Sequence, residues 1–275
     1  MNNLSFRKNV GGLLGEAVIW LRPQSVQESD QVFASETIWQ RLTKAAIYRR
    51  AVRSSSQAEL EALHRRYWVS PEADRFFGHI RGRSLEHIQN QHAAMVDWMR
   101  ELVRQRPTTF RHLCEIGCGN GRVLNFLSQT LPEMQTYTGV DISIRQTVRN
   151  EETYAGSRLR FETDDGLNWL EAHAKPGMIV CTNGGVLEYF SEPRLLRFFQ
   201  LIASTAAPSA VAIIEPLAVD FDFSKELHSR PAGQELTFSH NYPSLAWQAG
   251  LEVLHQHDEV YPFGRRLMLL AAAKA

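Results

Sequence analysis

Residues 113–127 read "LCEIGCGNGRVLNFL". A short apolar run ends at Ile116, glycines follow at Gly117, Gly119 and Gly121, and an apolar-periodic stretch begins at once. Strand, glycine turn and helix in that order mark the first βα unit of an open α/β sheet, where ligands bind outside the carboxyl ends of the strands. Glycine suits such a loop because it accepts positive φ and has no side chain to keep a ligand from the main chain. A dinucleotide loop would read G-x-G-x-x-G, but Arg122 stands where its third glycine belongs. No Lys-Ser/Thr follows either, so a phosphate-binding P-loop is excluded. The spacing present is G-x-G-x-G, with the acid Glu115 two positions before the first glycine.

Outward from this loop, the chain from Arg111 onward alternates short apolar runs with helical stretches. Strands are predicted at 111–116, 136–141, 158–162, 177–182, 210–215, 252–259 and 266–272. Helices are predicted near 121–130, 144–153, 166–173, 192–205 and 241–249. The alternation argues for a parallel sheet covered on both faces. Only "YPFG" separates the last two strands, which suits an antiparallel hairpin. From Glu36 to Arg106 the period is helical instead. "ETIWQRLTKAAIYRRAV" puts Ile38, Leu42 and Ala45 on one face, and Ser55 or Ser56 suits the cap of "QAELEALHRRY". "SLEHIQNQHAAMVDWMRELVRQ" aligns Leu85, Ile88, Met95, Met99 and Leu102 before Pro107 stops it. Residues 1–35 show no firm period and receive no element. Two regions are therefore expected: N-terminal helices over 1–106 and an α/β domain over 107–275.

The pattern E-x-G-x-G-x-G at the end of a first strand resembles motif I of the class I S-adenosylmethionine-dependent methyltransferases, and further motifs follow in that family's order. Twenty residues past Gly121, "TYTGVDIS" ends a second strand on Asp141, where a carboxylate accepts both hydroxyls of a ribose. "RFETDDGLNWL" supplies Asp164 and Asp165 after the third strand, where the family places an acid on the adenine amino group. The fourth strand ends in "MIVCTNGGVLEYF", matching the family's loop beneath the methionine half. The resemblance covers about residues 110–275 and is closest to small-molecule methyltransferases of bacterial biosynthetic clusters. It implies a Rossmann-like fold: a mostly parallel seven-stranded sheet with an antiparallel last strand, and an N-terminal helical lid. It implies S-adenosylmethionine as cofactor and S-adenosylhomocysteine as product. Glu115, Gly117, Cys118, Gly119, Gly121, Asp141, Ile142, Asp164, Asp165, Gly166, Asn183 and Gly184 are the cofactor-binding residues it suggests.

The family builds its acceptor pocket from the lid and from the segments after strands four and five. Here about 25 residues separate strand "AVAIIEP" from the next helix, and long connections of this kind in compact domains are usually functional or disordered. "FSHNYPSLAWQAGLEV" resembles a segment at the pocket mouth of small-molecule family members. His240 is the candidate general base, because imidazole titrates near neutrality; capping of the helix is its alternative role. Tyr67, Trp68, Glu188, Tyr189, Glu215, Asn241 and Tyr242 are candidate acceptor contacts. In "RYWVSPEADRFFGHIRGRSLEHIQNQ", Phe76 and Phe77 add aromatic surface, and Arg81 or Arg83 is a candidate partner for the methionine carboxylate. Catalysis is expected to be chiefly in-line alignment, which asks for no dedicated base. A metal-assisted mechanism would want a carboxylate cluster beside the fourth strand. "CTNGG" offers Asn183 instead, so no metal is expected.

Bulk properties set the rivals. With 30 Lys+Arg against 30 Asp+Glu the net charge is zero, and no global field favours nucleic acid or a membrane. Residues 41–112 nevertheless carry 14 basic against 7 acidic groups, which keeps an RNA or tRNA methyltransferase in view. The basic groups are dispersed around amphipathic helices, and the D/N-P-P-aromatic tetrapeptide of exocyclic-amine chemistry is replaced by "NGGVLEYF". A catalytically silent methyltransferase-like domain is the other rival; such domains tend to lose the glycine loop or the ribose acid, and both are intact. Cys114, Cys118 and Cys181 lie in apolar runs and suggest buried free thiols of a reducing compartment. "VGGLLGEAVIWL" is too short to span a bilayer and lacks a cleavage site, so a cytoplasmic protein is expected. A small-molecule acceptor is the expected partner, and apolar positions on the first helices could make a homodimer contact.

Overall fold

The computed structural model describes residues 3–24, 37–52, 57–71, 73, 88–89, 93–233, 236–260 and 266–274. Helices α1 (Asn3–Leu21), α2 (Ile38–Val52), α3 (Gln57–Trp68) and α4 (Ala93–Gln105) precede the sheet. Then come β1 (His112–Ile116), α5 (Arg122–Thr130), β2 (Thr136–Asp141), α6 (Ile144–Thr153), β3 (Leu159–Thr163), α7 (Gly166–His173) and β4 (Met178–Asn183). After a 3₁₀ turn at Leu187–Tyr189 follow α8 (Glu192–Ser204), β5 (Ser209–Leu217), β6 (Arg230–Ala232), β7 (Thr237–Ser239), α9 (Tyr242–Gln248), β8 (Glu252–Val260) and β9 (Arg266–Lys274).

The seven-stranded sheet has the order β3-β2-β1-β4-β5-β9-β8. Its first five strands are parallel, and β9 runs antiparallel to both β5 and β8. The strand order reverses between β1 and β4, so the binding crevice of an open sheet lies above Ile116 and Asn183. All nine residues of β5 are buried, as expected of a central strand covered on both faces. One apolar layer joins α7, α8 and α9 through Leu170, Phe198, Phe199, Ile202 and Leu245. The other joins α4 and α5 through Met95, Met99, Val123, Leu124 and Leu127. Both layers rest on alternate faces of the same strands, which fixes the level of the loops above them.

Three expectations change. The long connection after β5 contains a small hairpin, β6 against β7, with Pro231 opposite Phe238. Within the N-terminal stretch without a firm period, Asn3–Leu21 forms α1. Helix α2 buries Thr43, Ala46 and Ile47 instead of Ile38, Leu42 and Ala45, and Ile38 is 68% exposed. The reason is α1: a Cβ added at Gly15 would lie 1.8 Å from the Leu42 carbonyl oxygen, so the two backbones nearly touch. That close approach turns α2 about its axis and leaves Ile38 and Trp39 outside, with Trp20 and Leu21 of α1. No helix among the described residues is long and apolar enough to cross a membrane. Ser55, Ser56, Arg75, Phe76, Phe77, Arg81, Arg83 and Leu85 lie outside the described residues.

Candidate active site

The glycine loop is pinned from two sides. Gly119 N–H donates to Asp141 Oδ2 at 2.8 Å, and the Gly119 carbonyl accepts Asn150 Nδ2 at 2.7 Å from α6. Asp141 Oδ1 accepts the Ser143 N–H at 2.9 Å. The carboxylate therefore ties the end of β2 to the loop after β1, while each oxygen keeps a lone pair for another donor. Burial pushes the Asp141 carboxyl upward against the two N–H groups that favour its charge. Gly121 has φ 70, and a Cβ there would come within 2.8 Å of the Phe161 and Tyr154 rings. Those rings stack at 5.5 Å and close the floor behind the loop. Cys118 is buried with its thiol pushed up by burial, and Cys114 and Cys181 are likewise free, buried thiols. Ile142 is half-buried beside Asp141, and Gly166 is buried against Ile116.

At the switch point two buried acceptors stand unpaired. Glu115 Oε2 and Asn183 Oδ1 have no hydrogen-bond partner among the described residues. Glu115 is 2% exposed, and burial first and then Asp141 push its carboxyl well above the usual range. Leaving such an acceptor unmade is expensive, so these two oxygens suit a donor that the described residues do not supply. Gly184, at φ 85, follows directly, and a Cβ there would meet nothing within 4 Å. The methionine end of S-adenosylmethionine carries an ammonium, the donor chemistry that this pair of acceptors lacks. On this observation the residues fit the cofactor.

Other predicted residues take different places. Asp165 is the N-cap of α7: its Oδ1 accepts the Leu167 and Asn168 N–H groups at 3.0 and 3.4 Å. It is also gripped by Arg194 Nη2 and Arg65 Nη1, each at 2.5 Å. Asp164 Oδ1 turns back to the Asp165 N–H at 2.7 Å. Arg65 and Arg194 were not legible as site residues, because neither belongs to a local motif.

Glu215, a candidate acceptor contact, is fully buried, and both its oxygens are taken by groups of the chain itself. Its Oε1 accepts Thr182 Oγ1 at 2.5 Å, and its Oε2 accepts the N–H groups of Val186, Leu187 and Glu188 at 2.9, 3.0 and 3.3 Å. It is the clamp that shapes the loop after β4. Asn241 likewise caps α9, accepting the Ser244 N–H at 3.2 Å, and holds the Phe223 and Glu226 carbonyls. Tyr242 is fully buried; its Oη has no partner among the described residues, and burial, then Glu215 and Glu188, push its phenol well up.

His240, the candidate general base, sits in a closed environment. The ring is 0% exposed, with Nε2 3.1 Å from the Leu187 carbonyl and Nδ1 2.6 Å from Ser229 Oγ. A carbonyl only accepts, so Nε2 carries the proton and Nδ1 accepts from the Ser229 hydroxyl. Both nitrogens are thus committed to groups of the chain itself. Burial is the chief cause of a pKa lowered to about 4. The ordinary value is 6.5, so between these limits the unfolded chain binds more protons. Stability from this group is present above pH 6.5 and is lost as the pH falls towards 4. The stability difference between wild type and His240→Gln is expected to shrink by about 3 kcal/mol from pH 7 to pH 4. Paired urea titrations at the two pH values measure it, and the opposite slopes of Glu115, Asp141 and Glu215, raised in both proteins, cancel in the difference. An unchanged difference would show that the ring is not held neutral.

Tyr67, Trp68 and Tyr189 do come together. Helix α3 sets Trp68 edge-on to Tyr189 at 5.4 Å and to Tyr67 at 5.2 Å, and His64 meets Tyr189 at 5.1 Å. This aromatic group covers the 3₁₀ turn that carries Glu188, itself buried. Among the described residues no three His, Cys, Asp or Glu side chains group so as to hold a metal ion.

Comparison with known proteins places the fold. A family described as "Methyltransferase domain" matches residues 85–256, more than half of the chain. Magnesium protoporphyrin IX methyltransferase from Synechocystis PCC 6803 with bound S-adenosylmethionine is 17% identical, covering 78% of this chain and 97% of that one at TM-score 0.53. The same enzyme with bound S-adenosylhomocysteine gives 18% identity, 78% and 100% coverage and TM-score 0.54. At such identities the shared property is the fold. No curated protein matches the sequence.

Proposed function

This chain belongs to the methyltransferase domain family, and we propose that it transfers the methyl group of S-adenosylmethionine to an oxygen or nitrogen of a small-molecule acceptor. The observation that carries the reading is that the buried Glu115 Oε2 and Asn183 Oδ1, at the ends of β1 and β4, lack a hydrogen-bond partner among the described residues, next to a glycine loop tethered to Asp141. Asp141 would hold the ribose hydroxyls, Asp165 the adenine amino group, and Glu115 the ammonium of the methionine end. The cofactor supplies an electrophilic methyl on a sulfonium. The remaining work of the chain is to align and to exclude water. Glu215 and His240 do so as positioning residues, fixing the backbone from Val186 to Glu188 where an acceptor would lie. Tyr67, Trp68 and Tyr189 close that side with aromatic surface. No step in this reading needs a metal.

The RNA alternative draws less support. In the basic stretch 41–112, Arg50 pairs with Glu16 and Glu59, Arg65 with Asp165, Arg100 with Asp97 and Arg104 with Glu101. Basic groups paired with carboxylates make a poor phosphate-binding face.

Calorimetric titration of the protein with S-adenosylhomocysteine tests the assignment. Saturable one-to-one binding is the expected result, followed by transfer of labelled methyl to small hydroxyl and amine acceptors. A folded protein that binds neither S-adenosylhomocysteine nor S-adenosylmethionine would sink the proposal.

A further inference from the structure

Helix α3 meets the α/β layer through polar groups spaced four residues apart. Gln57 Oε1 accepts the Glu192 N–H at 3.0 Å. Glu61 Oε2 accepts the Ser191 N–H at 3.0 Å, and its Oε1 lies 2.5 Å from Arg194 Nε. Arg65 Nη1 donates to Asp165 Oδ2 at 2.5 Å, and the Val69 carbonyl, just beyond the helix, accepts Arg145 Nη2 at 2.8 Å. Residues four apart share one face of a helix. Their partners are the N-terminus of α8 after β4, the N-cap of α7 after β3 and the first turn of α6 after β2. The row therefore steps across the carboxyl ends of three strands, the edge at which an open sheet binds its ligand.

Elsewhere on α3, Leu60 and Leu63 are buried in a separate apolar cluster with Ile47, Leu236 and Phe238. The helix thus belongs to a small core of its own, joined to the sheet layer along a polar seam, although His64 and Trp68 also touch Tyr189. Polar seams open more readily than apolar ones, because water replaces the hydrogen bonds that are lost. Asp165 shows how such a seam coexists with a ligand. Its Oδ1 already takes Leu167, Asn168 and Arg194, whereas Oδ2 takes Arg65 alone among the described residues. Oδ2 keeps a lone pair for one further donor with Arg65 still in place.

We propose that α3 is a strap latched by Arg65 onto Asp165, and that the cofactor enters and leaves when this latch opens. The proposal rests on the reading of Asp165 as the adenine-side acid. Because Asp165 Oδ2 can keep Arg65 while taking one further donor, the latch is compatible with an occupied site, and Arg65 is then a positioning residue that sets the rate of exchange. It favours neither state, so it leaves affinity nearly unchanged.

Stopped-flow tryptophan fluorescence with S-adenosylhomocysteine on the full chain is the test. Arg65→Ala is expected to raise the association and dissociation rate constants together, each on the order of tenfold, with nearly constant Kd. Arg65→Lys, which keeps the charge without the planar fork, should fall between. Glu61→Gln, which loses the charge opposite Arg194, should move both rates the same way and guards against a folding defect in Arg65→Ala. Unchanged rates in both Arg65→Ala and Glu61→Gln would overturn the strap and leave the methyltransferase reading standing. A weaker Kd carried by dissociation alone would overturn it too, making Arg65 a direct cofactor contact. Wild type that binds no S-adenosylhomocysteine would remove the reading and the strap together.

Discussion

Asp141→Ala is expected to weaken S-adenosylhomocysteine binding by at least about 100-fold while the chain remains folded. Two losses combine. The first is structural: the Gly119 and Ser143 N–H groups give up the acceptors they now hold at 2.8 and 2.9 Å, inside a site where Asp141 is 7% exposed. Each buried donor left unmade costs about 1–3 kcal/mol, and every 1.4 kcal/mol is a factor of ten in affinity when the cost falls on the bound geometry. The second is the direct one: in the proposed reading the carboxylate that would hold the ribose is gone. The sheet beneath is untouched, because Val140 and the rest of β2 keep their register with β1 and β3. Calorimetry, with a melting curve beside it, separates the two effects. Retained affinity in the variant would show that the end of β2 does not hold the cofactor.

Glu215→Ala is expected to lower folding stability by about 4 kcal/mol. The carboxylate is fully buried and accepts four donors, three of them consecutive backbone N–H groups of the turn after β4. Alanine leaves all four without an acceptor and leaves a void beside Tyr242. Burial outweighs the four donors in moving the Glu215 carboxyl upward, so the charged form is held at a cost that the loop geometry offsets. Glu215→Gln keeps the shape and one acceptor oxygen and should lose less. Urea unfolding of the three proteins measures the order. A Glu215→Ala protein as stable as wild type would mean that the turn holds itself, and the clamp would have no energetic content.

The two residues differ in how far the sequence exposed them. Asp141 was legible because a short strand, its terminal acid and the preceding glycine loop stand at fixed spacing along the chain. Glu215 was read as a candidate acceptor contact, and its hold on the turn after β4 was not legible. An acid on β5 faces either an acceptor or a backbone turn, and which one depends on a loop more than 25 residues earlier in the chain. His240 repeats the lesson. Its residue type suggested proton transfer, whereas a fully buried ring held between Ser229 and Leu187 makes it a neutral brace.

Periodicity and motif spacing determined the alternation of strands and helices, the antiparallel end of the sheet, and the glycine loop with Asp141 at the end of the next strand. These follow from contacts between residues near in sequence, where period 2 or 3.6 and the needs of a tight turn act directly. The tertiary structure alone decided which face of α2 is buried, because that depends on how closely α1 lies against it at Gly15. It alone decided that β6 and β7 pair inside the long connection, since three-residue strands carry almost no period of their own. And it alone placed Arg65 on Asp165, a pairing 100 residues apart along the chain. Such contacts depend on the summed packing of layers between them, and no local pattern encodes that sum.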